Sequence, residues 1–373
     1  MQSIFPEGAC FTVTLYGLAW ANSFPHLDAS EREEALREMH YALDRQNDPV
    51  VLQPFSDTQV RNGVFWLGQR NLLLGGYLKA LPVADRPVEL VEEFHANSEQ
   101  IAEATRAKPT HHLDSYPGMC WPIDSVTALR SIVLHDELYG TNYREVYELW
   151  KSWALEHGDP VTDMPPGKID HLTGKWEEHA RGCANSWMIP LLMEFDPDYG
   201  TKLYAQYRTQ FAIDRFGFEM FREWPRGEKG HGADIDSGPI VLGAGVTATG
   251  VGLAAARSTG DIQMETDIRE LSRTLGVPVT NKSNGVSSIH YLFGKVTVAD
   301  AFLTWGYSIP RNDSARATPS IGSRIAKRWQ WFGFLFLSIA FTIGETIYVS
   351  RKYYRKYCGK PGHSHDSEPS ANA

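Results

Sequence analysis

Connections of alternating length separate the predicted helices of this chain, and this pattern constrains the fold more than any other feature. Short turns lie near 25–28, 82–86, 139–140, 196 and 259–260, and long connections lie near 46–60, 107–121, 158–182, 215–237 and 276–294. Amphipathic helical periodicity dominates between these connections, and strand alternation is scarce. The sequence therefore predicts helical hairpins that are joined by long loops.

The predicted helices have both start signals and regular spacing. Ser30 with Glu33 indicates a capping box, and Pro87 suits the first turn of a helix. The helices are expected at about 10–24, 29–45, 61–81, 87–106, 122–138, 141–157, 183–195, 197–214, 238–258, 261–275 and 295–307.

The character of the helices alternates in step with the connections. Helices after long connections are apolar and rich in small residues, as in 63–78 and 238–256, whereas those after short turns are charged, as in 30–44 and 87–104. A helix that is apolar all round is buried, and a one-sided amphipathic helix lies outside. Inner and outer helices repeating at roughly 50–60 residues predict an all-α fold, an (α/α)6-type barrel over 1–310.

The two ends of this predicted barrel are irregular. The hairpins begin near 10, 61, 122, 183, 238 and 295, and the last has no clear outer partner. The opening FPEGACF enters directly into an inner helix. We therefore expect that one outer helix at the N-terminal side can be missing from this barrel.

Residues 329–349, WQWFGFLFLSIAFTIGETIYV, predict one transmembrane helix. About twenty mostly apolar residues cross the hydrocarbon core of a bilayer, and aromatic rings favour its two interfaces. A basic linker (311–328) precedes the span and a short polar tail (350–373) follows it. The basic charge after the helix favours a cytoplasmic C-terminus, whereas the lack of a signal peptide favours a cytoplasmic barrel, so the side of the barrel stays open.

Composition excludes several classes of function. The net charge of −9 and the lack of zinc-finger, P-loop or recognition-helix patterns disfavour nucleic-acid binding. The four cysteines, Cys10, Cys120, Cys183 and Cys358, form no CxxC pair and have no metal-ligand spacing. No metal and no cofactor is predicted.

The predicted functional site is the end of the barrel that carries the long loops, which we call the mouth. Every inner helix would begin there, so that unpaired N–H groups and positive dipole ends converge. Glu7 and Gln69 join the mouth residues of 111–125, 180–187 and 221–239. Those stretches supply His111, His112, Asp114, Tyr116, Cys120, Asp124, Arg181, Cys183, Arg222, Glu223, Asp234, Asp236 and Ser237.

Two kinds of mouth residue carry specific expectations. Cys120 and Cys183 fall close to predicted helix N-termini, where the dipole and a nearby arginine would lower the pKa of a thiol. Asp234 or Asp236 would either cap the helix predicted at 238 or take part in function.

Six ordered segments together resemble the linalool dehydratase/isomerase family and its α/α-barrel relatives. They are LYGLAW (15–20), GVFWLGQRNLLLGG (63–76), DSYPGMCWPIDS (114–125), LYGTNYREVYELWKSW (138–153), CANSWMIPLLMEFDPDYGTKLYAQYRTQF (183–211) and DIDSGPIVLGAGV (234–246). The likeness spans about 10–260. It implies an apolar pocket in which acid–base side chains protonate a hydroxyl and remove a nearby proton, so that water leaves or adds to an unsaturated alcohol.

The resemblance also implies a set of catalytic residues. Cys120 matches one of the family's two active-site cysteines, and Asp114 and Tyr116 match its neighbours. His111 stands where the other cysteine would be, and Gln69 where the family has an active-site histidine. The family's N-terminal helix with its active-site aspartate has no counterpart in this chain.

Three functions follow as alternatives. The first is a lyase or isomerase acting on a small hydrophobic molecule, with Asp114 or His111 as general acid or base, Tyr116 as proton donor and Cys120 as an acid–base or positioning group. The second is a carbohydrate-active barrel in which two carboxylates, for example Glu7 or Asp114 with Asp234 or Asp236, act as acid and base. Its aromatic platforms would be Trp66, Trp121 and Trp187. The third is a non-catalytic membrane-associated binding protein. The predicted substrate-binding residues are Trp66, Gln69, Trp121, Arg181, Cys183, Arg222, Asp234 and Asp236.

Overall fold

The computed structural model describes residues 5–215, 217–283, 286–312 and 321–357. These residues fall into two compact units on either side of the gap at 313–320. The first unit is mostly helical with a few short strands, and the second is one long apolar helix. The mostly helical fold predicted from the sequence is confirmed.

Helices and strands follow the predicted order. The helices are α1 (Gly8–Ser23), α2 (Ala29–Gln46), α3 (Pro49–Leu52), α4 (Gly63–Ala80), α5 (Val88–Ala107), α6 (Pro122–Tyr139), α7 (Arg144–Glu156), α8 (Gly182–Phe195), α9 (Pro197–Phe211), α10 (Val246–Thr259), α11 (Ile262–Leu275), α12 (Thr297–Ser308) and α13 (Ile321–Tyr357). The strands pair as antiparallel hairpins, β1 (Lys168–Ile169) with β2 (Trp176–Glu178), β3 (Ala212–Arg215) with β4 (Phe218–Phe221), β5 (Ile240–Val241) with β6 (Ala244–Gly245), and β7 (Val279–Ser283) with β8 (Val286–His290).

Two helix starts differ from the sequence prediction. The capping box of α2 is formed by Asp28 and Glu31, not by Ser30 and Glu33. α10 begins only at Val246, because the residues before it form the β5–β6 hairpin. Asp234 and Asp236 therefore do not cap α10, and that expectation was wrong.

The apolar and the charged helices pack in two different ways. α1, α4, α6, α8, α10 and α12 each pack on the next in this order, and α12 packs on α1. Among the charged helices, α2 packs on α1 and α4, α5 on α4 and α6, α7 on α6, α9 on α8, and α11 on α10. α4 is buried along almost its whole length, whereas α2 buries one stripe. Burial thus follows the apolar and amphipathic patterns of the sequence.

Aromatic side chains from four of the apolar helices meet inside the first unit. The ring centroid of Phe11 on α1 lies 5.0 Å from Phe65 on α4, 5.9 Å from Trp187 on α8 and 5.3 Å from Phe302 on α12. Most of these pairs meet edge to face, the geometry that the ring quadrupoles favour. We call Phe11, Phe65, Trp187 and Phe302 the aromatic cluster.

The second unit contains α13. Within it, Phe332–Tyr353 is a 22-residue segment that is long and apolar enough to cross a membrane. This segment begins and ends a few residues later than the predicted span at 329–349. Part of the predicted linker and most of the polar tail, including Cys358, lie outside the described residues.

Candidate functional site

Four polar side chains, three of them carboxylates, come from the starts of two apolar helices and from two long connections, and we call them the carboxylate cluster. Glu7 is the residue before α1, Asp124 lies in the first turn of α6, and Tyr116 and Asp236 lie in long connections. The Tyr116 hydroxyl donates a hydrogen bond of 2.8 Å to Oε1 of Glu7. The Ser115 hydroxyl donates one of 2.6 Å to Oδ2 of Asp124.

Two carboxyl groups of this cluster, those of Asp124 and Asp236, hold protons more tightly than usual. Burial raises the pKa of Asp124 to about 7, and the charges of Asp236 and Glu7 add to the effect, against the hydrogen bond from Ser115. Burial raises the pKa of Asp236 to about 6, and Asp234 and Glu7 oppose Arg181 in setting it. Asp236 is nonetheless an exposed residue, so its carboxyl group can be reached from solvent.

Tyr116 completes the cluster as a neutral hydrogen-bond donor. Burial and the charge of Glu7 raise the pKa of the phenol far above its usual range. The ring lies 5.8 Å from Trp121 and 6.2 Å from Phe65 of the aromatic cluster, centroid to centroid. Tyr116 therefore lies between the carboxyl groups and the apolar interior.

A second polar group lies at the start of α8. The backbone N–H of Gly182 donates to the carbonyl of Glu223 at 2.8 Å, and the Cys183 thiol donates to Oε1 of Glu223 at 3.0 Å. A Cβ atom on Gly182 would lie 1.9 Å from the carbonyl oxygen of Arg222. Only glycine therefore lets α8 begin close enough to this segment for Cys183 to reach Glu223.

Arg181 holds the acidic side chains around this second group. Its guanidinium lies 2.7 Å from Glu223, 2.8 Å from Asp234 and 3.6 Å from Glu178. Burial raises the pKa of Glu223. Burial would also raise the pKa of Asp234, but hydrogen bonds from Arg181 and Ser237 outweigh it and lower that pKa. The charge of Asp236 acts on both Cys183 and Tyr116, so this residue links the two groups.

The expectation of low thiol pKa values was wrong. Burial raises the pKa of both Cys120 and Cys183, and the nearby carboxylates reinforce it. Cys120 has no accessible surface, and its thiol donates to the carbonyl of Leu113 at 3.2 Å. Desolvation of the thiolate outweighs the helix dipole at both positions.

Asp114 and His111 lie in other environments. The Asp114 carboxylate pairs with Lys108 and, at 3.0 Å, with His171 of the next long connection. Burial opposes ionisation, but the hydrogen bond from Lys108 prevails, so the pKa of Asp114 is lowered. Nδ1 of His111 faces the carbonyl of Thr105 at 3.0 Å, near the end of α5. Asp114 thus ties two long loops together.

The remaining predicted binding residues separate into buried and partly exposed positions. Trp66 is buried and donates to the carbonyl of Gln46 at 3.2 Å, and Oε1 of Gln69 lies 3.9 Å from the buried Cys10 thiol. Trp121 stays partly exposed beside Tyr116. The guanidinium of Arg222 lies beside Gly243, where it faces Arg215 and Arg226 instead of the acidic groups.

The structure therefore brings together Tyr116, Trp121, Arg181, Cys183, Asp234 and Asp236, but not Trp66, His111, Asp114 or Arg222. Sequence reasoning placed Asp124 and Glu223 at the mouth without giving them a role, and it gave Glu7 one only in the carbohydrate-active alternative. It missed Glu178, which belongs to a three-residue strand too short to show any periodicity. Within the described ranges, no group of three or more His, Cys, Asp or Glu side chains is placed to hold a metal ion.

The cysteines should differ in their reactivity towards iodoacetamide. In a Cys358→Ser background, we expect Cys183 to be alkylated slowly at pH 8 and faster as the pH rises, because it is partly exposed but protonated. Cys10 and Cys120 are buried and should react only after unfolding. Peptide mass spectrometry with and without urea measures this, and rapid labelling of Cys120 in the folded chain would contradict it.

Comparison with known proteins adds no assignment to this geometry. No protein-family model matches the chain, and a search of the curated proteins finds no match.

Proposed function

We propose that the first unit is an (α/α)6-type barrel with α1, α4, α6, α8, α10 and α12 as its inner helices. The closed packing order of these helices supports the proposal, since α12 packs back on α1. The aromatic cluster supports it as well, because Phe11 and Trp187 touch although α1 and α8 are not successive in that order. The outer helices are then α2, α5, α7, α9 and α11, so that the last hairpin lacks an outer partner in the described residues.

We further propose that this barrel is an acid–base lyase or isomerase acting on a small, hydrophobic, unsaturated alcohol. The observation that carries the proposal is Asp124, a buried carboxyl group with a pKa raised to about 7. At a pH between about 6 and 7, Asp124 is mostly protonated while Asp236, with a pKa of about 6, is mostly ionised. Two carboxyl groups with separated pKa values are an acid and a base in one site.

The reaction follows from these two protonation states. Asp124 transfers its proton to the substrate hydroxyl, and the C–O bond breaks so that its electron pair leaves with water. Asp236 then takes a proton from the adjacent carbon, and the C–H electron pair forms the new double bond. Proton transfer from Asp236 back to Asp124 restores the starting state. Return of water to the other end of an allylic system gives the isomerisation instead.

The surroundings suit the charge that develops in this reaction. Loss of water leaves positive charge on the carbon skeleton, which aromatic faces attract. Phe65 lies 6.2 Å from Tyr116 and 5.0 Å from Phe11, centroid to centroid, so the aromatic cluster continues directly from the polar groups. The Tyr116 hydroxyl, held by Glu7, can orient the substrate oxygen.

The test is turnover of terpenols and short unsaturated alcohols by the full chain, followed by gas chromatography of the dehydrated and rearranged products. We expect turnover by the wild type and a loss of at least about tenfold in Tyr116→Phe, since that variant removes one positioned hydrogen bond. If none of these alcohols is turned over, the proposal is contradicted. A non-catalytic binding protein is then the better description.

One observation favours a carbohydrate-active enzyme as the second candidate. The charges of Glu7 and Asp236 act on Asp124, and that of Glu7 acts on Asp236, so these carboxyl groups lie near one another. Paired carboxylates carry out glycoside hydrolysis. Trp66 and Trp187 are buried, which disfavours a role for them as stacking platforms for sugar rings, because such side chains must face the ligand. Hydrolysis of aryl glycosides without turnover of alcohols would favour this second candidate.

We also propose that α13 anchors the chain in a membrane through Phe332–Tyr353. We expect the wild type to float with phosphatidylcholine vesicles and Leu337→Arg/Ile339→Arg to remain unbound, because each arginine costs roughly 3 kcal/mol at the centre of a span. Leu172→Arg is the matched control, since Leu172 is exposed in a loop of the first unit. A wild-type chain that does not float with the vesicles would contradict the proposed membrane anchor.

A further inference from the structure

Three neighbouring arginines, Arg215, Arg222 and Arg226, belong to the connection between α9 and α10. Nη1 of Arg222 and Nη2 of Arg215 lie 3.5 and 3.9 Å from the point that a Cβ on Gly243 would occupy. Gly243 has a φ of +85°, which favours glycine, and it follows Leu242 in the tight β5–β6 turn. The absence of a side chain at Gly243 leaves room for two guanidinium groups over one turn.

Arg226 is the third member of this arginine cluster. Burial lowers the pKa of Arg222, and the charges of Arg215 and Arg226 lower it further. The described contacts of Arg215 and Arg226 are with backbone carbonyl groups, those of Leu242, Asp214 and Ala212. Nε of Arg222 is buried without a hydrogen-bond partner among the described residues.

The three arginines of this cluster have no carboxylate partner among the described residues, which is also true of Arg32, Arg37, Arg86, Arg269 and Arg273. In the described ranges none of the three forms an ion pair with a carboxylate, in a protein of net charge −9. Other arginines do, namely Arg45, Arg61, Arg70, Arg106, Arg130, Arg144, Arg181, Arg208, Arg257 and Arg311. Three neighbouring positive charges without counter-charges repel one another, and such an arrangement persists where a ligand supplies the missing charge.

We propose that Arg215, Arg222 and Arg226 bind a phosphate group, at a site separate from the carboxylate cluster. The separation follows from the chain itself, since Glu223 points to Arg181 while its neighbour Arg222 lies beside Gly243. A carboxylate would bring one negative charge, whereas a phosphate monoester carries nearly two and three acceptor oxygens. Guanidinium groups match these oxygens with paired hydrogen bonds.

The phosphate can belong to a soluble ester or to a phospholipid headgroup, and two probes separate these sources. The first is inorganic phosphate and pyrophosphate, titrated calorimetrically into the full chain in an uncharged detergent. The second is flotation with phosphatidylcholine vesicles that contain or lack phosphatidic acid. Basic residues that flank the span also favour phosphatidic acid, so only a difference between the vesicles that the wild type shows and Arg222→Gln lacks reports on the arginines.

We expect phosphate or phosphatidic acid to bind the wild type, and binding to weaken at least about tenfold in Arg222→Gln, as charge-assisted hydrogen bonds imply. Arg222→Lys should bind only slightly better than Arg222→Gln, because lysine keeps the charge but lacks the paired donors. Arg37→Gln is the matched control, since Arg37 is exposed on α2 and the change removes the same charge.

Stability supplies a readout that needs no ligand. Without phosphate, Arg222→Gln should raise the melting temperature because it relieves the repulsion, and added phosphate should then stabilise the wild type more than the variant. Should Arg222→Gln fail to fold, Arg215→Gln repeats the test. Equal phosphate affinity in the wild type and both variants, or no binding of either probe, would overturn the proposal.

Discussion

Replacing Asp124 by asparagine should reduce turnover of the alcohol substrate by about 1,000-fold, the effect typical of losing a general acid. Asparagine keeps the shape of the side chain and can still accept the hydrogen bond from the Ser115 hydroxyl. It carries no proton that it can give to the leaving hydroxyl. In the wild type, activity should fall as the pH rises through about 7, because Asp124 then loses its proton.

The same substitution should make the folded chain more stable at high pH. The pKa of Asp124 is raised from 3.8 to about 7 in the folded state, so ionisation destabilises the native protein as the pH rises across this range. Three pKa units correspond to about 4 kcal/mol, which the asparagine variant regains above pH 7 and not at pH 4. Lost activity together with gained stability is the signature of a functional residue.

Urea denaturation of both proteins at pH 4 and pH 8, beside pH–rate profiles, measures these effects. Asp196→Asn is the matched control, because Asp196 is a buried carboxylate at the α8–α9 turn that accepts hydrogen bonds from Tyr147 and Lys151. That variant should keep its activity and lose stability. An Asp124→Asn variant with wild-type turnover would remove Asp124 from the mechanism.

Replacing Arg181 by glutamine should destabilise the chain by roughly 3–5 kcal/mol at pH 7, the cost of breaking a buried ion pair. Arg181 is 4% exposed, and its partner Glu223 has no accessible surface. Without the guanidinium, Glu223 must either stay charged in the interior or take up a proton. Cys183 alone cannot replace the lost charge, because its thiol is a weak donor.

The sign of the pH dependence distinguishes this explanation from a simple packing defect. In Arg181→Gln the pKa of Glu223 rises further, so the variant loses stability as the pH increases and recovers part of it near pH 5. The double variant Arg181→Gln/Glu223→Gln removes the uncompensated charge and should regain about half of the loss. A destabilisation that is the same at pH 5 and pH 7 would contradict this account.

The helical architecture could be predicted because it depends on local patterns. Apolar residues on all sides of α4 distinguish it as a buried helix, and one apolar stripe distinguishes α2 as half-exposed, without any knowledge of contacts. The apolar segment in α13 was predicted within a few residues on the same basis. The short hairpins were missed, since β5 and β6 each contain only two residues and their turn depends on the positive φ of Leu242 and Gly243.

By itself, the sequence determined which segments contain the polar side chains of the two groups, because helix starts and long loops follow from periodicity and turn residues. Only the tertiary structure decided their chemistry. Asp114 and Asp124 are ten residues apart in one motif, yet Lys108 and His171 keep the first ionised while burial raises the pKa of the second. The physical reason is that ionisation depends on solvent exclusion and on charges distant in the chain, which no local pattern specifies.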